Sequence, residues 1–426
     1  GAEAFLTSAI AANGRGAALE AAITALDGVA ADDATYGATK TAFDTATVTS
    51  VTYSTNTANN STNPDVLAAA ISSESIAAAA VEGVNLALTS SVETLSGTNG
   101  NDTFQGVLDG TTAANTTVTA SDVINASGGN DRLDITLQGG ATATMPALQT
   151  TDLEVFAVRN VSAAATIANL GGVTGATEFV NNLSTAVVEF NGIGSADLTI
   201  VGNDVVTNAA TDFEVGGTSV TDAFTLNLKG GVGAGAITSQ TTAGVTDAEA
   251  DWTAVTINST GGTATSSVNA NVVGALDLAG GNTMQTLTIN ADSSLTTGAI
   301  AGWDTTGSGT ANKGAIIITG GAQVDLDGAA LDAAVESVDA SGSSGGVRVQ
   351  ASTQTDFQFV GSTGDDRFTT NAVLSTTTGS AGSVDAGEGT DRLIVGTSAH
   401  ITSTVGALYT NFETLEVTNG VSVDMD

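Results

Sequence analysis

Ala126-Ser127-Gly128-Gly129-Asn130-Asp131-Arg132-Leu133 is the stretch on which the reading of this 426-residue chain turns. Three further segments share its pattern: Gly97-Thr98-Asn99-Gly100-Asn101-Asp102-Thr103-Phe104, Gly361-Ser362-Thr363-Gly364-Asp365-Asp366-Arg367-Phe368 and Ala386-Gly387-Glu388-Gly389-Thr390-Asp391-Arg392-Leu393. Aligned on the aspartate, all four have Gly or Ala first, Gly fourth, Asp sixth and a large apolar residue eighth. Glycine lets the backbone turn tightly and aim carbonyl oxygens inward, aspartate adds a carboxylate, and the apolar residue enters a short core strand. Each segment is therefore a corner with a strand attached.

Outward from these corners, the sequence from about Leu86 is a succession of short β-branched runs punctuated by Gly, Asn, Asp and Ser. Examples are Leu198-Thr199-Ile200-Val201, Phe224-Thr225-Leu226-Asn227-Leu228, Val255-Thr256-Ile257 and Ile316-Ile317-Ile318. Each is too short for a helix and is bounded by turn residues. Pro64 and Pro146 are the only prolines, so strand ladders can run without losing donors. The corners come as two ordered pairs, and each pair leads to a Leu-Glu-Val run, Leu153-Glu154-Val155 and Leu415-Glu416-Val417. Such long-period repetition predicts stacked units that bury one continuous core.

The expected fold is mainly β, a parallel β-helix or β-solenoid array, with β-sandwich sections left open for residues 161–355. Ahead of it, Phe5, Leu6, Ile10, Leu19, Ile23 and Leu26 recur at near-helical spacing. They predict a small N-terminal α-helical segment over residues 1–45, the tail of a preceding domain. Residues 46–85 are expected to hold a strand, a linker ending at Pro64 and one more helix. Residues 86–160 form a first β unit and 356–426 a second. The second stops just after its Leu-Glu-Val run while the first continues, so both ends of the chain are expected to be cut.

Composition narrows the function. Asp and Glu number 45 against 9 Lys and Arg, a formal charge of −36. Polyanionic partners are held by Lys and Arg, which argues against nucleic acid and anionic membrane. The same charge repels itself unless cations offset it, and carboxylate-rich sites suit hard, oxygen-seeking ions such as calcium. There is no cysteine and His400 is the single histidine, so thiol chemistry and disulfides are excluded and a Ser-His-Asp triad would rest on one residue. No apolar run is long enough to span a bilayer. Hydrophobic content is 41% with only 4% aromatics, which favours a thin-layered core such as a solenoid's.

The four corners resemble the nonapeptide repeats of RTX proteins, G-G-x-G-x-D-x-φ-x. That resemblance implies a right-handed parallel β-roll with Ca2+ between successive turns. The metal ligands would come from Gly97, Asn99, Gly100 and Asp102; Gly128 and Asp131; Gly361, Thr363, Gly364 and Asp366; and Glu388, Gly389 and Asp391. The starting double glycine is incomplete in all four, and the motifs are separated in sequence.

More widely, the Ala-rich start, Leu86-Ala87-Leu88-Thr89-Ser90 leading to Glu93-Thr94-Leu95-Ser96-Gly97, and Phe412-Glu413-Thr414-Leu415-Glu416-Val417-Thr418 look like bacterial S-layer and related surface proteins exported by type I secretion. The expectation that follows is a secreted, extracellular, non-enzymatic protein of the bacterial cell surface. It would self-assemble with calcium, with cell-surface polysaccharide as a further partner. A secreted adhesin using the array as a spacer, and a polysaccharide-active β-helix enzyme, are the alternatives. Against the enzyme, Lys40, Lys229 and Lys313 are scattered. Gly230-Gly231-Val232-Gly233-Ala234-Gly235 lacks the Lys-Ser/Thr of a phosphate loop. Asp365-Asp366 and Asp325-x-Asp327 have the makings of acid/base pairs but fit structural carboxylates better.

Overall fold

A computed structural model describes residues 82–418, apart from 142, 147, 163–165, 170–172, 192, 194–196, 203–206, 209–210, 215–222, 241–251, 262–269, 280–282 and 306–313. The chain divides between Val81 and Glu82, and the described residues belong to the second unit. The expected helices over 1–45 and 66–81, and the strand near Thr47–Tyr53, lie outside them.

The described residues are mainly β and wind a parallel β-solenoid of about 10 turns. One face is a 14-stranded sheet that runs from Asn85–Ala87 through Thr103–Asp109, Arg132–Gln138 and so on to Tyr409–Thr410. Sheets of nine, seven and three strands form the other faces, and every strand pairing among the described residues is parallel. Sandwiches are built from antiparallel strands. The alternative left open for 161–355 is thereby settled in favour of the solenoid. No helix among the described residues is long and apolar enough to cross a membrane.

Alternation makes the coils. Arg132–Gln138 and Ala254–Thr260 alternate half-buried and buried along their length, as a strand with one wet face must. The buried positions stack in register from coil to coil. Phe104, Leu133, Phe156, Phe179, Leu198, Leu226, Ile257, Ile289 and Ile318 form one such column, none more than 3% exposed. A register slip of one residue would expose the whole column, so the apolar pattern fixes the register. From Gly314–Gly320 onward the coils alternate between the 14-stranded and nine-stranded sheets alone.

Candidate metal centre

Within each pair, the motifs that are distant in sequence are adjacent in space. Phe104 pairs with Leu133 and Phe368 with Leu393, so the second corner of each pair sits directly on the first, one coil away. All four motif aspartates are buried: Asp102 at 1%, Asp131 at 0%, Asp366 at 2% and Asp391 at 0% exposure.

Their carboxylates staple the coils together. The backbone N–H of Val84 donates to Asp102 Oδ1 at 2.7 Å, that of Asp102 to Asp131 Oδ1 at 2.7 Å, and that of Asp131 to Glu154 Oε2 at 2.8 Å. The second pair repeats the ladder. The N–H of Val347 donates to Asp366 Oδ1 at 2.5 Å, that of Asp366 to Asp391 Oδ1 at 2.7 Å, and that of Asp391 to Glu413 Oε2 at 2.7 Å. Each rung satisfies a buried N–H at a corner where the sheet ladder is interrupted. Asp102 and Asp366 close their own corners as well, accepting from the N–H and hydroxyl of Thr98 and of Ser362.

Crowding explains the glycines. A methyl group on Gly97 would lie 2.4 Å from the Ala126 carbonyl oxygen, and one on Gly361 1.9 Å from that of Ala386. At the fourth position of the second motifs, Gly129 and Gly389 have φ of +137° and +142°, and their missing methyl groups would lie 2.5 Å from the carbonyl oxygens of Gly100 and Gly364. The Gly389 position is also 2.9 Å from Asp391 Oδ1. Glycine thus lets the two coils approach closely at both corners, and at Gly389 it also leaves the space beside the Asp391 carboxylate free of a side chain.

The two oxygens of Asp131 and Asp391 are unequally placed. While Oδ1 accepts from the coil before, Oδ2 of each is buried with no hydrogen-bond partner. Burial raises the Asp391 carboxyl to about 6, aided by the charges of Asp366, Glu413 and Asp365 and opposed by the N–H of Asp366. Burial likewise raises Asp131, with Asp102, Glu154 and Asp152 adding to it, and raises Asp366. In Asp102 burial acts in the same direction, but hydrogen bonds from Val84 and Thr98 outweigh it and hold the carboxyl below its usual value. Among the described residues only the strand Asn85–Ala87 lies beyond this coil in the 14-stranded sheet, so less of the described solenoid surrounds Asp102 than Asp366.

A buried carboxylate oxygen without a donor has the donor chemistry of a calcium site, and the carbonyls of Gly100 and Gly364 on the neighbouring coils pack against the same corners. Asp131 with Gly100, and Asp391 with Gly364, are the residues that fit it. Among the described residues no group of three or more His, Asp or Glu gathers that could hold a metal, so the remaining ligands would be carbonyls and water. Asn99, Thr363 and Glu388, the third-position candidates, are exposed, and Gly128 is half-buried.

Sequence reasoning missed several partners. The fifth residues Asn101 and Asp365 accept from the N–H groups of Asn130 and Thr390, each at 2.9 Å. Glu154 and Glu413 end the ladders, and the repeat is in fact aligned through them. Arg132 pairs with Val155 and Arg392 with Thr414, so Leu153-Glu154-Val155 matches Phe412-Glu413-Thr414 and not Leu415-Glu416-Val417. The shared frame is φ-Glu-x-φ-x-Val. Arg392 bridges to Glu416 at 3.1 Å and Arg367 to Asp327 at 3.1 Å, both on other coils, whereas Arg132 pairs within its own strand with Asp134 at 2.8 Å. Asp325 pairs with Arg348, and His400 Nδ1 lies 2.9 Å from the Thr370 hydroxyl.

No protein-family model matches this chain, and no curated protein matches it significantly.

Proposed function

We propose that this is a structural protein of a bacterial surface, exported to the cell exterior, whose calcium-stiffened solenoid assembles with its own copies into a sheet or filament. The observation that carries the reading is the pair of corner stacks. Two stretches far apart in the chain build the same three-rung acidic ladder, and each leaves one buried aspartate oxygen without a donor. Calcium bound there would neutralise like charges on adjacent coils. The formal charge of −36 supplies the need for such neutralisation along the whole chain. The likeness of the corners to RTX repeats, and of the flanking phrases to S-layer proteins, supports the cellular setting. Cell-surface polysaccharide is the further partner expected in that setting.

Dialysis with calcium and with a chelator, followed by electron microscopy and calcium titration, tests it. The expected result is ordered assemblies only with calcium, with binding lost in an Asp131→Asn, Asp391→Asn double variant. A monomer indifferent to calcium would overturn the proposal.

A further inference from the structure

The outward face of the 14-stranded sheet holds a feature that the corners do not explain. On the adjacent strands Ala223–Lys229, Ala254–Thr260, Thr286–Ala291 and Gly314–Gly320, the outward positions carry Thr, Asn, Ala and Ile, and Lys229 at one corner is the single charged residue among them. Asp197 lies on the preceding strand, and Asp339 pairs with Ile317 on the following one. A neutral field is thus framed by acidic residues in a chain of formal charge −36.

The field is ordered side chain to side chain. Thr225, Thr256, Thr288 and Ile317 are in register across the four strands. Beside them runs an amide ladder. Asn227 donates to the Thr199 hydroxyl at 3.3 Å, Asn258 to Asn227 at 2.9 Å and Asn290 to Asn258 at 2.8 Å, and the Thr319 hydroxyl donates to Asn290 at 2.8 Å. Every amide oxygen in the ladder already has its donor, so covering this face with protein leaves none of those oxygens unsatisfied. Ile317, 40% exposed, adds apolar surface at its edge.

We infer that this field is a contact surface for the same field on a second copy of the chain. Charge selects that occupant. Most surfaces that two such acidic chains could bring together repel, and over this field the repulsion is least, confined to the acidic residues at its edges. A self-complementary patch meeting itself about a two-fold axis is the usual form of such a contact. Strands about 4.8 Å apart and about 20 Å long give this field on the order of 400 Å² per copy. Stable interfaces bury about 800 Å² per partner, so a single contact is weak and gains strength only when repeated in an array. The inference rests on the proposed self-assembly and names one of its surfaces.

Thr256 lies at the field's centre and outside both corner stacks. The full chain and its Thr256→Asp, Thr256→Lys and Thr256→Ser variants are compared by sedimentation velocity over a concentration series in calcium. Thermal melting and calcium titration report on fold and corners. Both charged variants are expected to weaken association by about tenfold or more, since either sign must be desolvated in the contact. Their calcium binding and melting should stay near those of the parent, and the serine variant should associate as the parent does. If the parent assembles and both charged variants assemble equally well, or lysine strengthens assembly, this surface is wrong while the assembly proposal stands. A parent that stays monomeric with calcium removes both. A monomeric parent that binds a neutral polysaccharide such as dextran, with binding lost in both charged variants, replaces the second copy with a glycan.

Discussion

At the scale of a residue, Asp391 shows how one carboxylate serves two masters. Its Oδ1 holds the N–H of Asp366 and its Oδ2 faces no donor, which is why burial lifts the group to about 6 from an ordinary 3.8. The consequence for stability has a definite sign. A carboxyl whose folded pKa is raised favours the fold while protonated, so its contribution is complete below about pH 4 and is lost as the pH climbs through 6. Asp131 and Asp366 add in the same sense, whereas Asp102, held low, contributes above its unfolded pKa and loses that contribution in acid. With calcium chelated, the melting temperature is expected to fall between pH 4.5 and 7, and Asp391→Asn to remove part of that fall. Excess calcium at pH 7 should restore the parent and leave the variant behind, because a cation at Oδ2 does at neutral pH what a proton does in acid. Differential scanning calorimetry across pH decides it; a parent whose melting is flat over this range refutes the assignment.

At the scale of an element, the strands were the most legible feature and their partners the least. Period-two alternation in runs such as Val255-Thr256-Ile257 is a local property, so the sequence displays it directly. The corners were legible too, because the positive φ of Gly129 and Gly389 is a local demand that the sequence displays, although the carbonyls they clear and the N–H groups that Asp131 and Asp391 hold belong to the coil before. Pairing was not. The identical strings Leu153-Glu154-Val155 and Leu415-Glu416-Val417 attract an alignment three residues out of phase, since the true match of Glu154 with Glu413 depends on which N–H each accepts from the coil before. Nor does the sequence reveal that Arg132–Gln138 belongs to the 14-stranded sheet and Arg392–Val395 to the nine-stranded one. The amide ladder was in view as Thr225-x-Asn227, Thr256-x-Asn258 and Thr288-x-Asn290, with 31 and 32 residues between successive asparagines, but a polar outward pattern carries no core signal. Asn258→Ala should break the ladder at its middle and cost about 1–2 kcal/mol, since two bonds are lost and a half-buried oxygen on Asn227 and a donor on Asn290 are left without partners. Chemical denaturation measures it, and a change within ±0.5 kcal/mol, typical of an ordinary surface substitution, would show that the ladder is idle.

At the scale of the whole solenoid, each coil contacts only its neighbours, so stability is a sum of coil and interface contributions and can be lost locally. The two corner stacks lie toward opposite ends of the described solenoid, and the strands from Ala223–Lys229 to Gly314–Gly320 between them are held by the apolar columns and the amide ladder. Two roles for calcium therefore separate. If the ion merely screens a charge of −36, sodium chloride at equal ionic strength should replace it, since screening depends on the Debye length, about 10 Å at 0.1 M salt. If it binds at Asp131 and Asp391, its removal should act where those residues are. Hydrogen exchange after chelation, at constant ionic strength, is then expected to lose protection in Thr103–Gln138 and Arg367–Val395 first, while Ala254–Thr260 and Thr286–Ala291 stay protected. The Asp131→Asn, Asp391→Asn variant should show that same map whether or not calcium is present. Uniform loss along the solenoid, reversed by sodium chloride, would reduce calcium to a counterion and leave the acidic ladders as hydrogen-bonded staples alone.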